Sequence, residues 1–206
     1  MQKTHSELLR KMVVTAIFGV IGFILMAWEI PFLLVPSFIK LDFSELPALI
    51  TAFAVGPLWG VIVCLVKNLL HCFLSSTMGI GELSNFILGS VFVFTAGLVY
   101  KYKKSRIGAL IGSVTGAVLM SVIGVFSNYF IIYPLYSTLY TDMDMDTIIN
   151  AYHNIYPFVT DLWTALLVCN LPFTFLKCMV SVVITFICYK YLSPIIKGEK
   201  KQTAKK

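Results

Sequence analysis

Three of the chain's 16 Lys and Arg residues stand apart from its basic clusters, Lys40, Lys67 and Lys177, and two of these fall inside strongly apolar runs. An ammonium held among apolar side chains is costly, so Lys67 and Lys177 need partners. Lys177 follows Asn170 and Thr174 at a spacing of i, i+4 and i+7, which puts an amide, a hydroxyl and an ammonium on one helix face. That combination can grip a polar small molecule. Lys67, next to Asn68, reads instead as a structural tie, with Glu45 or Asp42 as its partner. Asn128, in Ser127-Asn-Tyr-Phe130, carries the donor and acceptor that match an amide-like heterocycle edge, or that bond to a neighbouring helix. The segment Pro36-Ser-Phe-Ile-Lys40-Leu-Asp42-Phe-Ser-Glu45-Leu-Pro47 sets a charged, aromatic loop bounded by prolines directly against a hydrophobic helix. Loops so placed commonly carry binding residues.

The residue patterns of catalysis are missing. Asp142-Met-Asp144-Met-Asp146 lacks the Gly turn and the distal Glu of a calcium loop and reads as solvated acids. His5, His71 and His153 are scattered, with no ligand spacing, so no metal site is expected. Cys64, Cys72, Cys169, Cys178 and Cys188 form no Cys-x-x-Cys pair and read as small packing residues. There is no phosphate-binding glycine loop and no Gly-x-Ser-x-Gly elbow. The chain is therefore expected to be neither an enzyme nor an ATPase, and to need no cofactor.

The elements that must position these residues are membrane helices. Of the 206 residues 58% are apolar and 13% charged, and the mean hydropathy is +0.87. No water-soluble core could hide so much apolar surface. Apolar runs cover 12–28, 46–66, 83–100, 107–132 and 162–192, several of them near the roughly 20 residues a spanning helix needs. The first, after a charged start, has no small-residue cleavage site and should remain as a helix.

Charge placement sets the topology. Three basic residues precede the first helix (Lys3, Arg10, Lys11), four lie in Lys101, Lys103, Lys104 and Arg106, and six end the chain, whereas eight acids lie elsewhere. Short basic segments stay in the cytoplasm, so these three segments should share one side. That parity requires a break at Gly56-Pro57, where Pro suits a first helical turn and Gly the end of the preceding helix. Six helices follow, at about 11–28, 45–55, 57–76, 83–102, 107–132 and 170–192. The second is only about 17 Å long, so it must be longer or sit within a thinned or protein-lined region. Residues 1–196 are expected to form a single transmembrane domain and 197–206 a basic cytoplasmic tail at the anionic inner leaflet. The long outer segment 133–169, rich in Tyr, suits an aromatic belt and a partly helical lid. Thr15, Ala16, Gly19 and Gly22 form a small-residue stripe, for close packing within the chain or for a second membrane subunit.

The block from Lys40 to Pro47, the Ala-Phe-Ala-Val-Gly56-Pro57 turn, Val66-Lys-Asn-Leu-Leu70, Ser127-Asn-Tyr-Phe130 and Asn170-Leu-Pro-Phe-Thr-Phe-Leu-Lys177 resemble the RibU family, the riboflavin-binding S components of energy-coupling factor transporters. The likeness runs over roughly 10–195. It implies an all-α membrane protein of six helices with an outward-facing pocket, in the bacterial cell membrane with both termini cytoplasmic. It also implies partners: riboflavin, a transmembrane coupling subunit, two cytoplasmic ATPases and membrane lipid. The loaded subunit would tip over in the membrane, driven by ATP hydrolysis in those partners. Thr15, Ala16, Gly19 and Gly22 match where the family meets the coupling subunit.

By the same resemblance the ligand is held by the first outer loop and the last three helices, with Asn128, Thr174 and Lys177 matching family positions and Asn85, Gly89 and Asn170 alongside. On chemical grounds Leu41, Phe43 and Leu46 would cover the dimethylbenzene end of the flavin, and Asp42 or Glu45 would accept from ribityl hydroxyls. Three other readings stand beside this one: an S component for thiamine or pantothenate, a metal-dependent membrane enzyme, and an assembly subunit without a small ligand.

Overall fold

A computed structural model describes residues 2–75, 77–140 and 144–197. Long helices dominate it. Helix α1 (Gln2–Ala27) leads into a loop pinned by two short antiparallel strands, β1 (Ile30–Pro31) and β2 (Lys40–Leu41), with Ile30 opposite Leu41. Helices α2 (Glu45–Ala54), α3 (Pro57–His71), α4 (Ile80–Tyr102) and α5 (Arg106–Ser127) then alternate in direction. The α5 rod continues through a π-helical turn, Asn128–Ile132, into α6 (Tyr133–Leu139). Helix α7 (Met145–His153) follows, and a last rod runs from α8 (Leu162–Ala165) through a second π-helical turn, Leu166–Asn170, into α9 (Leu171–Lys197).

Local chemistry explains the boundaries. The α2–α3 break falls at Gly56, whose φ of +138° is open to glycine and strained for other residues. The Thr51 carbonyl accepts from both Val55 N and Gly56 N, closing α2, and Pro57 opens α3. Ser105 caps α5, its Oγ accepting from Gly108 N at 3.0 Å. Asp144 and Asp161 cap α7 and α8 through the amides of Thr147 and Thr164. Those bonds pull both exposed carboxyls below the ordinary aspartate value. Asp144 is thus a helix cap, while Asp142 lies outside the described residues.

Among the described residues, five helical stretches are long and apolar enough to cross a membrane: His5–Ala27, Pro57–Leu74, Ile80–Tyr102, Arg106–Leu139 and Leu162–Tyr189. The second predicted helix is not a sixth of that kind. It has 10 residues, eight of them buried, so its polar ends meet protein. Other boundaries shift outward: α1 takes in the charged start, and the last rod begins at Leu162, turning part of the predicted 133–169 loop into helix. The basic tail beyond Lys197 lies outside the described residues.

The small stripe on α1 divides. Gly19 and Gly22 are buried where added Cβ atoms would lie 2.6 Å from Val66 and 3.3 Å from Lys67, and Thr15 is 3% exposed with its hydroxyl on the Lys11 carbonyl. Gly19 and Gly22 serve close α1–α3 packing, and burial leaves these three residues little surface for a second subunit. Ala16 is exposed, beside Met12, Val13, Ile17 and Val20 on the outer apolar side.

Lys67, on α3, is fully buried at the head of the bundle. Its ammonium donates to Glu45 Oε1 at 2.6 Å and Ser44 Oγ at 2.6 Å. Both ends of the pair are 0% exposed. Removing one partner of such a pair leaves a buried charge alone and costs about 3–5 kcal/mol, whereas replacing both with apolar groups is near neutral. Lys67→Met should therefore lower the unfolding temperature in detergent sharply, and Lys67→Met with Glu45→Leu should recover most of the loss. Equal melting of the single variant and the parent would show that the pair carries no such weight.

Candidate functional site

The head of the bundle, at the loop end of α1 and α4, encloses two adjoining cavities of about 200 and 640 Å³ that share Phe38, Lys40, Gly81, Asn85, Tyr136 and Lys177. Together they reach the size range of small-molecule sites, about 300–1,000 Å³. The smaller one is lined by Asn85 of α4, Asn128 of the first π turn, Asn170 of the second, and Thr174 and Lys177 of α9. Three amides, a hydroxyl and an ammonium thus converge among Leu88, Met120, Ile132, Tyr133 and Phe173. The two π turns occur at this level on neighbouring rods, one beginning with Asn128 and the other ending with Asn170.

The charges here are paired. Lys177 Nζ donates to Asp42 Oδ2 at 2.7 Å, joining α9 to the first loop. Asp42 Oδ1 in turn accepts from Ser44 N at 2.9 Å. Lys40 pairs with Glu29 across the mouth of the larger cavity. On its far wall His71 Nδ1 lies 2.9 Å from Glu82 Oε1, while Ser75 and Thr77 hydroxyls donate to Glu82 Oε2. The short loop between α3 and α4 is thereby tied to that wall.

A closed triangle of hydrogen bonds joins the roof to the walls. Tyr152 of α7 donates to Asn170 Oδ1 at 2.6 Å, Asn170 Nδ2 donates to the Tyr133 hydroxyl at 2.9 Å, and the two phenol oxygens lie 2.6 Å apart. Burial pushes the Tyr152 phenol far above its ordinary value of 10. Phe38 of the first loop packs edge-on against both rings, its centroid 6.1 Å from Tyr133 and 6.0 Å from Tyr152.

Of the residues singled out in the sequence, Asn85, Asn128, Asn170, Thr174 and Lys177 meet in one cavity and Asp42 stands at the next. Lys40 lines both, whereas Leu41, Phe43, Glu45, Leu46 and Gly89 line neither. Glu45 is committed to Lys67 and has no exposed surface for a ligand hydroxyl. Gly89 is filled by Glu45: an added Cβ would lie 2.6 Å from its Oε1. Leu41, Phe43 and Leu46 are half-buried outside both linings. Phe38 lies within the loop block but was not drawn from it. Phe173 carries no sequence signal because an aromatic residue in a helix reads equally as core, and Tyr133 and Tyr136 read as part of the aromatic belt and lid rather than as pocket walls.

A helical bundle whose apolar exterior encloses a polar, charge-paired cavity at one end defines a membrane-embedded binding protein. Residues 10–189 match the family described as ECF transporter, substrate-specific component, and the chain belongs to that family. It is 27% identical over 196 residues to the riboflavin transporter RibU of Staphylococcus aureus (strain TCH60), covering 95% of this chain and 97% of the relative. It is 29% identical over 196 residues to the riboflavin transporter FmnP of Bacillus subtilis (strain 168), covering 93% and 96%. A solved S component of a bacterial ECF transporter superposes with a TM-score of 0.70 at 27% identity, over 91% of this chain and 97% of that one.

Burial alone would raise the Asp42 carboxyl, but the Lys177 and Lys67 ammonium groups and bonds from Lys177 and Ser44 outweigh it, holding the group at about 2 against an ordinary 3.8. A carboxyl lowered on folding stabilises the fold above its unfolded pKa and loses that contribution as pH falls to its folded one. The protein should lose roughly 2 kcal/mol of stability between about pH 4 and pH 2 from this group. Asp42→Asn should flatten the melting profile in that window, measured by thermal unfolding in detergent; an unchanged acid slope would remove Asp42 as its source.

Proposed function

We propose that the chain is the riboflavin-binding subunit of an ECF-type vitamin importer, a transport component with no catalytic step of its own. The observation that carries this reading is the charge-paired cavity. Lys177 is neutralised by Asp42 and Lys40 by Glu29, so the smaller cavity, lined by no other charged residue, offers amides, a hydroxyl and aromatic walls without an unmatched charge. A cation such as thiamine would seek an unpaired carboxylate and an anion such as pantothenate an unpaired ammonium. Riboflavin is neutral, flat and hydroxylated, which suits this lining. The full-length similarity to two riboflavin transporters supports the same ligand.

In this reading Asn128 pairs with the uracil-like edge of the flavin, and the N–H groups of Lys177 not used by Asp42 donate to ring carbonyls or ribityl oxygens. Asn85, Asn170 and Thr174 serve the remaining polar atoms, and Phe173 and Tyr136 face the apolar ring. The basic segments face the cytoplasm, which puts the cavity on the outside. A transmembrane coupling subunit and two ATPases complete the importer, and the outer apolar side of α1 around Ala16 offers the first of these a surface.

Titration of the detergent-purified chain with riboflavin should quench flavin fluorescence saturably, and neither thiamine nor pantothenate should compete. Asn128→Ala should weaken binding by about tenfold or more, the loss of paired hydrogen bonds in a buried site. Absence of quenching by folded protein would overturn the assignment, and unchanged affinity in the variant would take Asn128 out of the site.

A further inference from the structure

A third cavity, of about 340 Å³, lies at the opposite end of the bundle. Its lining includes the Gly56-Pro57 turn, Trp59, Tyr100, Lys101 and Lys104. Nothing in the flavin reading uses it. Lys101 and Lys104 belong to a turn that carries four basic residues and no acid from Lys101 to Arg106. Among the described residues neither lysine forms an ion pair, in contrast to Lys40, Lys67 and Lys177. Two exposed ammonium groups therefore converge on a recess beside an indole and a phenol, the side chains that favour the membrane–water boundary. Leu58, on the rim, is 66% exposed and apolar, a surface for an acyl chain.

We propose that this cavity binds the phosphate of an anionic phospholipid headgroup. Lys101 and Lys104 donate to the phosphate oxygens, Trp59 and Tyr100 sit at the level of the glycerol, and Leu58 meets the chains. The charge selects anionic over zwitterionic lipid, since the ammonium of a choline headgroup would meet the two lysines with like charge. The recess separates this site from the general attraction of the basic turn, because Lys103 and Arg106 carry the same charge but do not line it.

Native mass spectrometry of the detergent-purified chain, titrated with phosphatidylglycerol or phosphatidylcholine, tests the proposal. One phosphatidylglycerol should be retained about tenfold or more tightly than phosphatidylcholine. Lys101→Gln with Lys104→Gln should abolish that preference, and Lys103→Gln with Arg106→Gln should keep it. Riboflavin binding at the other end should be unchanged in both variants, showing that they are folded. Equal retention of the two lipids would overturn the proposal, as would equal losses in the two double variants, which would indicate diffuse surface charge. Displacement by inorganic phosphate with no lipid retained would assign the site to free phosphate and also overturn it.

Discussion

The buried contact between Lys67 and Glu45 governs the head of this bundle. Each ion loses its hydration, a cost of several kcal/mol, and only close pairing with further hydrogen bonds offsets it. Ser44 and Asn85 supply oxygens to the ammonium at 2.6 and 3.4 Å. Gly89 leaves room for the carboxylate where any side chain would collide. The start of α2, the end of the first loop and the first half of α4 are thereby held in one arrangement. Asp42, three residues before Glu45, then faces Lys177 on α9 and draws the last rod against the same point. Two ion pairs within one loop-to-helix junction therefore place four segments of chain around a cavity, and the cavity inherits their order.

Binding polarity follows from the same economy of charge. Because both lysines near the pocket are matched, the free polar surface there is amide and hydroxyl, and selectivity rests on hydrogen-bond geometry and aromatic contact. The roof participates through a triangle in which Tyr133, Tyr152 and Asn170 each hold two partners. Asn170 is at once a wall of the pocket and an anchor of the roof. A ligand that drew its amide away would loosen α7, so occupancy and roof position are coupled through a single side chain.

Much of this was legible in the sequence because membrane burial penalises charge so strongly. Lys67 and Lys177 announced partners, the requirement for shared sidedness located the break at Gly56-Pro57, and the i, i+4, i+7 spacing brought Asn170, Thr174 and Lys177 to one cavity. Which acid belonged to which lysine was not legible. Asp42 and Glu45 are three residues apart, and only the packing of α2 beneath the loop sends one to α9 and the other to α3. The small stripe on α1 pointed to a close contact without naming its partner, since Gly against Val66 within the chain and Gly against another subunit have the same pattern. Segment 133–169 reads as a partly helical lid, but the positions of α7 and α8 within it were not legible, because its aromatic and acidic composition is equally that of a loop.

The two π-helical turns beside the pocket have an implication for how its shape varies among related chains. Each accommodates one residue more than an α-helical turn, so a single deletion within 128–132 or 166–170 would restore an unbroken α-helix. Because a π turn takes up its extra residue locally, that deletion would leave the α-helical flanks in register and re-aim only the residues of the turn. Such a change would swing Asn128 or Asn170 out of alignment with the rest of the site while leaving the apolar pattern below nearly intact. Gaps of one residue at these two places, rather than substitutions, are therefore an economical route by which this architecture could exchange one cargo for another.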